Sequence, residues 1–194
     1  MSVTANPTHR EIRAAALTGI VGAFGYIGTA VVQAVHPAEA GDPGFLPRSI
    51  VSIIAAALLV GTVVGLARAG ASGARWLARI GLVALGLGWL AVAAAHVTTQ
   101  LRGAEFTLIF VIATALHLVG AIPVAWAVLR TGVWTGARRW IPTLCFVYLL
   151  VATPLFGLPG APGQLVIAGW GTTWLLLGLA VYTGDSSTRS SGTG

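Results

Sequence analysis

The chain has 194 residues, 56% of them apolar and 8% charged, with eleven Lys or Arg against five Asp or Glu and a formal net charge of +6. That mix and a mean hydropathy of +0.88 exclude an ordinary soluble domain and assign the chain to lipid. The basic surplus does not indicate nucleic acid, because its arginines sit at the ends of apolar runs, where an anionic leaflet attracts them, and form no clustered stripe. Lysine is absent, which removes Schiff-base and lysine-nucleophile chemistry, and the single cysteine, Cys145, excludes an internal disulfide or a CxxC redox pair.

In chain order, apolar runs fall near 14 to 35, 50 to 67, 76 to 97, 106 to 129, 141 to 157 and 164 to 182. A bilayer core takes about 20 apolar residues per helix, so the expected fold is all-α, a six-transmembrane-helix bundle of one domain over residues 14–183. A tail precedes it at 1–13, and a Ser-, Thr- and Gly-rich tail at 184–194 is expected to be disordered. Thr8 and Glu11 have the spacing of a capping box at the start of the first span. Ala38-Glu39-Ala40 has the look of a signal-peptide cleavage site, but the apolar run before it exceeds the roughly 7 to 15 residues of a secretory segment, so the run is expected to stay as the first span.

The arginines sort these runs into two sides. Arg10 and Arg13, then Arg68, Arg75 and Arg79, then Arg130, Arg138 and Arg139, and finally Arg189 occupy the termini and alternate loops, while the other loops carry only Arg48 and Arg102. The positive-inside rule then places both termini in the cytoplasm of a multi-pass cell-membrane protein.

Small residues thin two helix faces. Ala57, Gly61, Gly65 and Ala69 form a ridge on the second span, and Gly19, Gly22, Gly25 and Gly28 one on the first. Either suits close packing between helices, and a homo-oligomer could use the same surface.

Polar side chains gather on particular stripes. Thr18, Gly22, Tyr26, Thr29, Gln33 and His36 recur at steps of three or four along the first span, and Thr107, Phe110, Thr114 and His117 do so on the fourth. Lipid cannot hydrogen-bond such groups, so these faces should turn into the bundle. His36, His96 and His117 all fall in the outer half of the membrane by the arginine rule, with Glu39, Asp42 and Glu105 close by. A chamber on that side, with Glu105 as the leading acid and Asp42 and Glu39 as the others, is the expected site. Of the seven tryptophans, Trp76, Trp134 and Trp140 read as an interfacial belt. Trp89, Trp126, Trp170 and Trp174, together with Tyr26 and Tyr148, are candidates for lining the chamber, where ring faces would stabilise a cation.

Other chemistries find no support. Gly70-Ala71-Ser72-Gly73 spells the GxSG of rhomboid proteases, but Ser72 lies among arginines on the side opposite His96, out of reach of a base. No HExxH, Walker loop or dinucleotide fingerprint occurs, and the histidines lack the close pairing of a metal or haem site, so no cofactor and no metal are assigned.

Leu129-Arg130-Thr131-Gly132-Val133 leading to Arg139-Trp140, and the closing Gly169-Trp170-Gly171-Thr172-Thr173-Trp174-Leu175-Leu176-Leu177-Gly178, resemble small six-helix integral membrane proteins of high-GC bacteria. Some of these are membrane-bound terpene cyclases of natural-product pathways. The resemblance implies an enzyme of secondary metabolism that protonates a prenylated, lipid-like substrate and cyclises it through carbocations. Glu105, Asp42 or Glu39 would then supply the proton, the aromatic residues would guide the cation, and Gln33, His36, His96 and His117 would supply the polar lining. An acid in apolar surroundings keeps its proton near neutrality, as that reaction requires. Six spans and cytoplasmic termini also resemble the substrate-capturing subunits of energy-coupling vitamin importers, and a structural subunit of a larger membrane complex is a third class. Few acids among many rings favour the enzyme.

Overall fold

The computed structural model describes residues 8–39, 41–103 and 107–184. Glu105 and the tail from residue 185 onward lie outside the described residues. Six α-helices follow in order: α1 His9–Val35, α2 Phe45–Arg68, α3 Trp76–Arg102, α4 Thr107–Thr131, α5 Ile141–Ala152 and α6 Ala161–Gly184. Among the described residues there are no strands. Five of the helices, all but α5, are long and apolar enough to cross a membrane.

Local signals account for the helix ends. The capping box forms at α1, where the Thr8 backbone N–H donates to Glu11 Oε2 at 3.0 Å and the Glu11 N–H donates to Thr8 Oγ1 at 3.4 Å. Helix α1 therefore starts at His9, within the stretch 1–13 read from the sequence as a tail. Gly103, with φ +66°, ends α3 in the left-handed conformation that glycine adopts without a Cβ penalty. Pro123 lies inside α4, where its ring faces Gly81 of α3. A Cβ at Gly81 would stand 2.7 Å from the Pro123 ring.

Helix α5 departs from the expected run of 141 to 157. It holds 12 residues, about 18 Å of rise, between 3-10 helices at Gly136–Trp140 and Thr153–Leu155. Pro154 has no N–H to offer the Leu150 carbonyl, so the α-helical ladder cannot continue through it. The segment nonetheless follows α6 along its length in the opposite direction. Trp134 Nε1 lies 3.3 Å from the Cβ position of Gly184, Cys145 Sγ donates to the Thr173 carbonyl at 3.3 Å, and the Tyr148 hydroxyl donates to the Val166 carbonyl at 2.8 Å. Farther along, the Leu158 carbonyl meets Gly163.

Each helix packs on the next in chain order, and α6 closes the bundle against α1. Helices α1 and α2 are antiparallel and nearly touch: a Cβ on Gly22 would come within 2.7 Å of the Ala55 carbonyl oxygen, and one on Gly19 within 2.7 Å of Thr62 N. Gly61 meets the Ala15 carbonyl in the same way, and Gly65 abuts Ala16 and Val181. Helices α3 and α4 approach through a reciprocal pair, since a Cβ on Gly81 would meet the Gly120 carbonyl oxygen at 2.7 Å and one on Gly120 the Gly81 carbonyl oxygen at 2.6 Å. Gly171 and Gly178 of α6 receive Ile27 and Ile20 of α1. The small-residue ridges thus serve contacts within the chain, apart from Ala57, which is exposed, and Gly28, which faces open space.

These antiparallel pairings bring the first turn of α1, the end of α2, the start of α3 and the ends of α4 and α6 to one end of the bundle. The Arg13 guanidinium lies over the Tyr182 ring there, 5.6 Å from its centroid. The GxSG segment docks at the same end, with the Thr131 hydroxyl donating to the Ala71 carbonyl at 2.7 Å, so Gly70 and Gly73, at φ +65° and +68°, make a tight turn and Ser72 is buried in it.

The outer surface is as apolar as the inside. Phe24 at 60% exposure, with Val83, Val119, Leu150 and Leu165, projects outward, whereas the helix contacts are rich in glycine and alanine. A soluble protein rarely exposes apolar patches of this extent, and lipid is the solvent that suits it. Trp76 and Trp140 stand exposed as an interfacial belt requires, but Trp134 is buried at 4% exposure because it packs beside Gly184.

Gly22→Ala and Gly81→Ala should each lower stability by about 1 to 3 kcal/mol, since the added methyl meets backbone atoms. Gly28→Ala and Gly86→Ala, with nothing within 4 Å of the new Cβ, should be neutral or slightly stabilising. Thermal unfolding in detergent micelles reads the difference, and equal losses at all four positions would contradict the helix contacts described.

Candidate functional site

The centre of the bundle is a cluster of rings held at mid-length by four helices. Trp89 of α3 is fully buried and stacks on Trp170 of α6, with centroids 4.8 Å apart and planes at 15°. Trp174, one turn further along α6, meets Trp89 edge-on at 5.1 Å. Tyr26 of α1 meets Trp89 edge-on at 5.2 Å and Trp170 at 6.0 Å. Phe156, beyond the second 3-10 helix, tilts against Trp170 at 5.6 Å. Edge-to-face and offset contacts of this kind are the favoured geometries for aromatic quadrupoles.

His117 of α4 enters the same cluster, with 0% exposure. Its ring stands perpendicular to Trp89 at 5.0 Å and to Trp170 at 4.8 Å. Gly88 makes the space for it: a Cβ there would lie 2.6 Å from His117 Cε1 and Nδ1. Nδ1 lies 2.8 Å from the Ala113 carbonyl. A carbonyl only accepts, so Nδ1 carries the proton and donates, and Nε2 of the neutral ring is left with a bare lone pair. Nε2 is buried without a hydrogen-bond partner, and so is the Trp89 Nε1–H.

A recess adjoins the cluster between α3, α4, α5 and α6. His117, Trp170, Trp174, Cys145, Leu85 and Leu149 are among its lining residues. It measures about 340 Å³ counting the space open at its mouth, and has room inside for about one water molecule.

The structure therefore joins five of the expected site residues, Tyr26, Trp89, His117, Trp170 and Trp174. Tyr148 lies on the α5–α6 seam with its hydroxyl engaged at Val166. Trp126 is turned outward, 56% exposed, with the Arg130 guanidinium 4.3 Å above its ring. It lies three positions after Pro123 on the helix, and its phase carries it to the lipid-facing surface, where it joins the belt.

The other expected groups stand apart from this centre. His96 meets Phe110 edge-on at 5.4 Å, in the α3–α4 seam. His36 is the exposed residue that ends α1. Gln33 is tied down beside it: its Nε2 donates to the Ala38 carbonyl at 2.9 Å, its Oε1 accepts from Arg48 Nη1 at 2.7 Å, and Arg48 also donates to the His36 carbonyl. Glu39 and Asp42 are exposed in the α1–α2 loop, where Asp42 Oδ2 accepts from the Glu39 N–H at 2.8 Å. The three imidazoles thus occupy three separate surroundings, and neither of the described outer acids borders the ring cluster. Among the described residues no group of three or more His, Cys, Asp or Glu side chains could hold a metal ion.

Arg48, Gly88 and Cys145 were not among the expected site residues. Arg48 carried a signal, being one of two arginines on the arginine-poor side: a guanidinium against the positive-inside trend implies a local partner, here Gln33. Gly88 and Cys145 owe their roles to neighbours on other helices and left no sign in the sequence.

The chain matches no family model, no curated protein and no solved structure.

Removing a buried indole leaves a cavity, so Trp89→Leu should cost about 3 kcal/mol or more, while Trp126→Leu, facing out, should stay within about 0.5 kcal/mol of the parent. Unfolding midpoints of the two variants provide the check, and a large loss at Trp126 would show that its ring is packed inside.

Proposed function

We propose that this chain crosses the bilayer six times with both termini in the cytoplasm, and that its aromatic centre binds a prenylated, lipid-like molecule and guides its carbocation cyclisation, the activity of a membrane-bound terpene cyclase. The ring cluster around His117 carries this reading. Indole and phenol faces present negative quadrupoles to a passing cation, and the recess beside them is lined mostly by apolar and aromatic side chains, which suit a lipid-like molecule. The six crossings are supported by the stretch from Trp134 to Leu158 lying antiparallel to α6, and the orientation by the collection of arginines at the end where α1 begins and α6 finishes.

Glu39 and Asp42, exposed in their loop, are poorly sited to start the reaction, so Glu105 is the acid assigned to the initiating proton. A prenyl chain needs more room than the one water-sized space inside the recess, so binding requires the helices around it to part.

Two measurements test this. Single cysteines at Gly41 and Ala74, in a Cys145→Ala background, should react differently with an impermeant maleimide on intact cells: Gly41 should label and Ala74 should label only after lysis. The reverse pattern would invert the orientation. Membranes containing the protein, supplied with a farnesylated phenol whose terminal alkene is epoxidised, should yield an isomer of equal mass and shifted chromatographic retention. Glu105→Gln should suppress that product by about a hundredfold or more, the usual scale for loss of a general acid. Substrate that binds but is recovered unchanged would remove the cyclase activity.

A further inference from the structure

We propose that His117 Nε2 and Trp89 Nε1 form the polar anchor of the aromatic centre, and that the anchor takes a hydroxyl group, so the molecule bound there is an apolar alcohol or phenol. The inference rests on the proposed lipid-like occupant and specifies its polar end. Two orphaned atoms carry it. The lone pair on His117 Nε2 and the N–H on Trp89 Nε1 are both buried and both without a partner, in rings whose centroids are 5.0 Å apart. Buried polar groups in folded proteins are nearly always satisfied, and an orphaned one costs free energy. Here one atom can only accept and the other can only donate. A hydroxyl oxygen answers both, donating its proton to the imidazole and accepting from the indole, whereas an ether or a ketone can answer only the indole.

The direction of the imidazole is fixed by its surroundings. Nδ1 is committed to the Ala113 carbonyl at 2.8 Å, so the ring cannot switch tautomer without losing that bond. The ring atoms nearest Gly88 are Cε1, Nδ1 and Cγ, which leaves the Nε2 edge turned away from the α3 backbone. His117 also lines the recess, which has room for about one oxygen-sized group, and Trp89 packs against three of its lining residues, His117, Trp170 and Trp174. The walls of the recess include Trp170, Trp174, Leu85 and Leu149, surfaces suited to a ring or an isoprenoid chain attached to the hydroxyl. The same oxygen could belong to a lone water molecule, and the test separates the two sources.

The protein in lipid nanodiscs, with its intrinsic tryptophan fluorescence as the readout, is titrated with geranylphenol and with the methyl ether of geranylphenol. The two ligands have nearly the same shape and apolar area but differ in the donor. The phenol should bind at least about tenfold more tightly, since the ether leaves the imidazole lone pair unanswered. In His117→Phe the phenol should fall to the affinity of the ether while the ether is unchanged. If that variant does not fold, the comparison of ligands on the unaltered protein still decides. Equal affinities for phenol and ether, or a tighter ether, would overturn the hydroxyl anchor, mean that water alone serves His117, and leave the apolar site intact. Failure of both ligands to bind would overturn the anchor and the proposed occupant together.

Discussion

Everything in this bundle depends on how closely its helices approach. Lipid tails are as apolar as leucine, so no hydrophobic drive pulls membrane helices together, and association relies on dispersion contacts and hydrogen bonds between surfaces that fit. Gly22 against Ala55 and Gly61 against Ala15 between α1 and α2, and Gly81 against Gly120 between α3 and α4, set backbone against backbone and fix the registers of these two antiparallel pairs. Once those registers are set, the side chains at mid-length have no freedom in what they meet. The large residues are then inside at a few places and outside at many, the reverse of a soluble protein's arrangement.

The aromatic centre follows from the same close packing. Gly88 permits His117 to lean onto α3, and without that missing side chain the imidazole could not stand perpendicular to Trp89 and Trp170. The i−4 carbonyl of Ala113 then selects the tautomer, which leaves the Nε2 lone pair buried without a partner. Such an atom is costly in hydrocarbon. The Trp89 N–H in the same cluster is likewise left without a partner. The helix α5 borders the recess beside it, and its interruption by Pro154 makes this wall the shortest of the six.

At the arginine-poor end the chemistry is structural. Arg48 holds Gln33 and the His36 carbonyl, and Asp42 closes the loop onto Glu39, so the polar groups that looked like a shared chamber fasten the α1–α2 hairpin. His96, in the seam with Phe110, belongs to the α3–α4 contact.

Composition and periodicity alone determined that the chain is an all-helical protein built for lipid, because apolar length and helix-end signals such as Thr8 and Glu11 act within a single segment. Tyr26, Trp89, His117, Trp170 and Trp174 were legible as polar-tipped or aromatic residues at inward phases. Their meeting at one point was not, since it depends on inter-helix registers fixed by glycines whose partners lie dozens of residues away. The outward turn of Trp126, the burial of Trp134 against Gly184 and the separation of the three histidines were decided at that same level. A single helix specifies which residues share a face; which neighbour covers that face, and at what height, is a property of the pair.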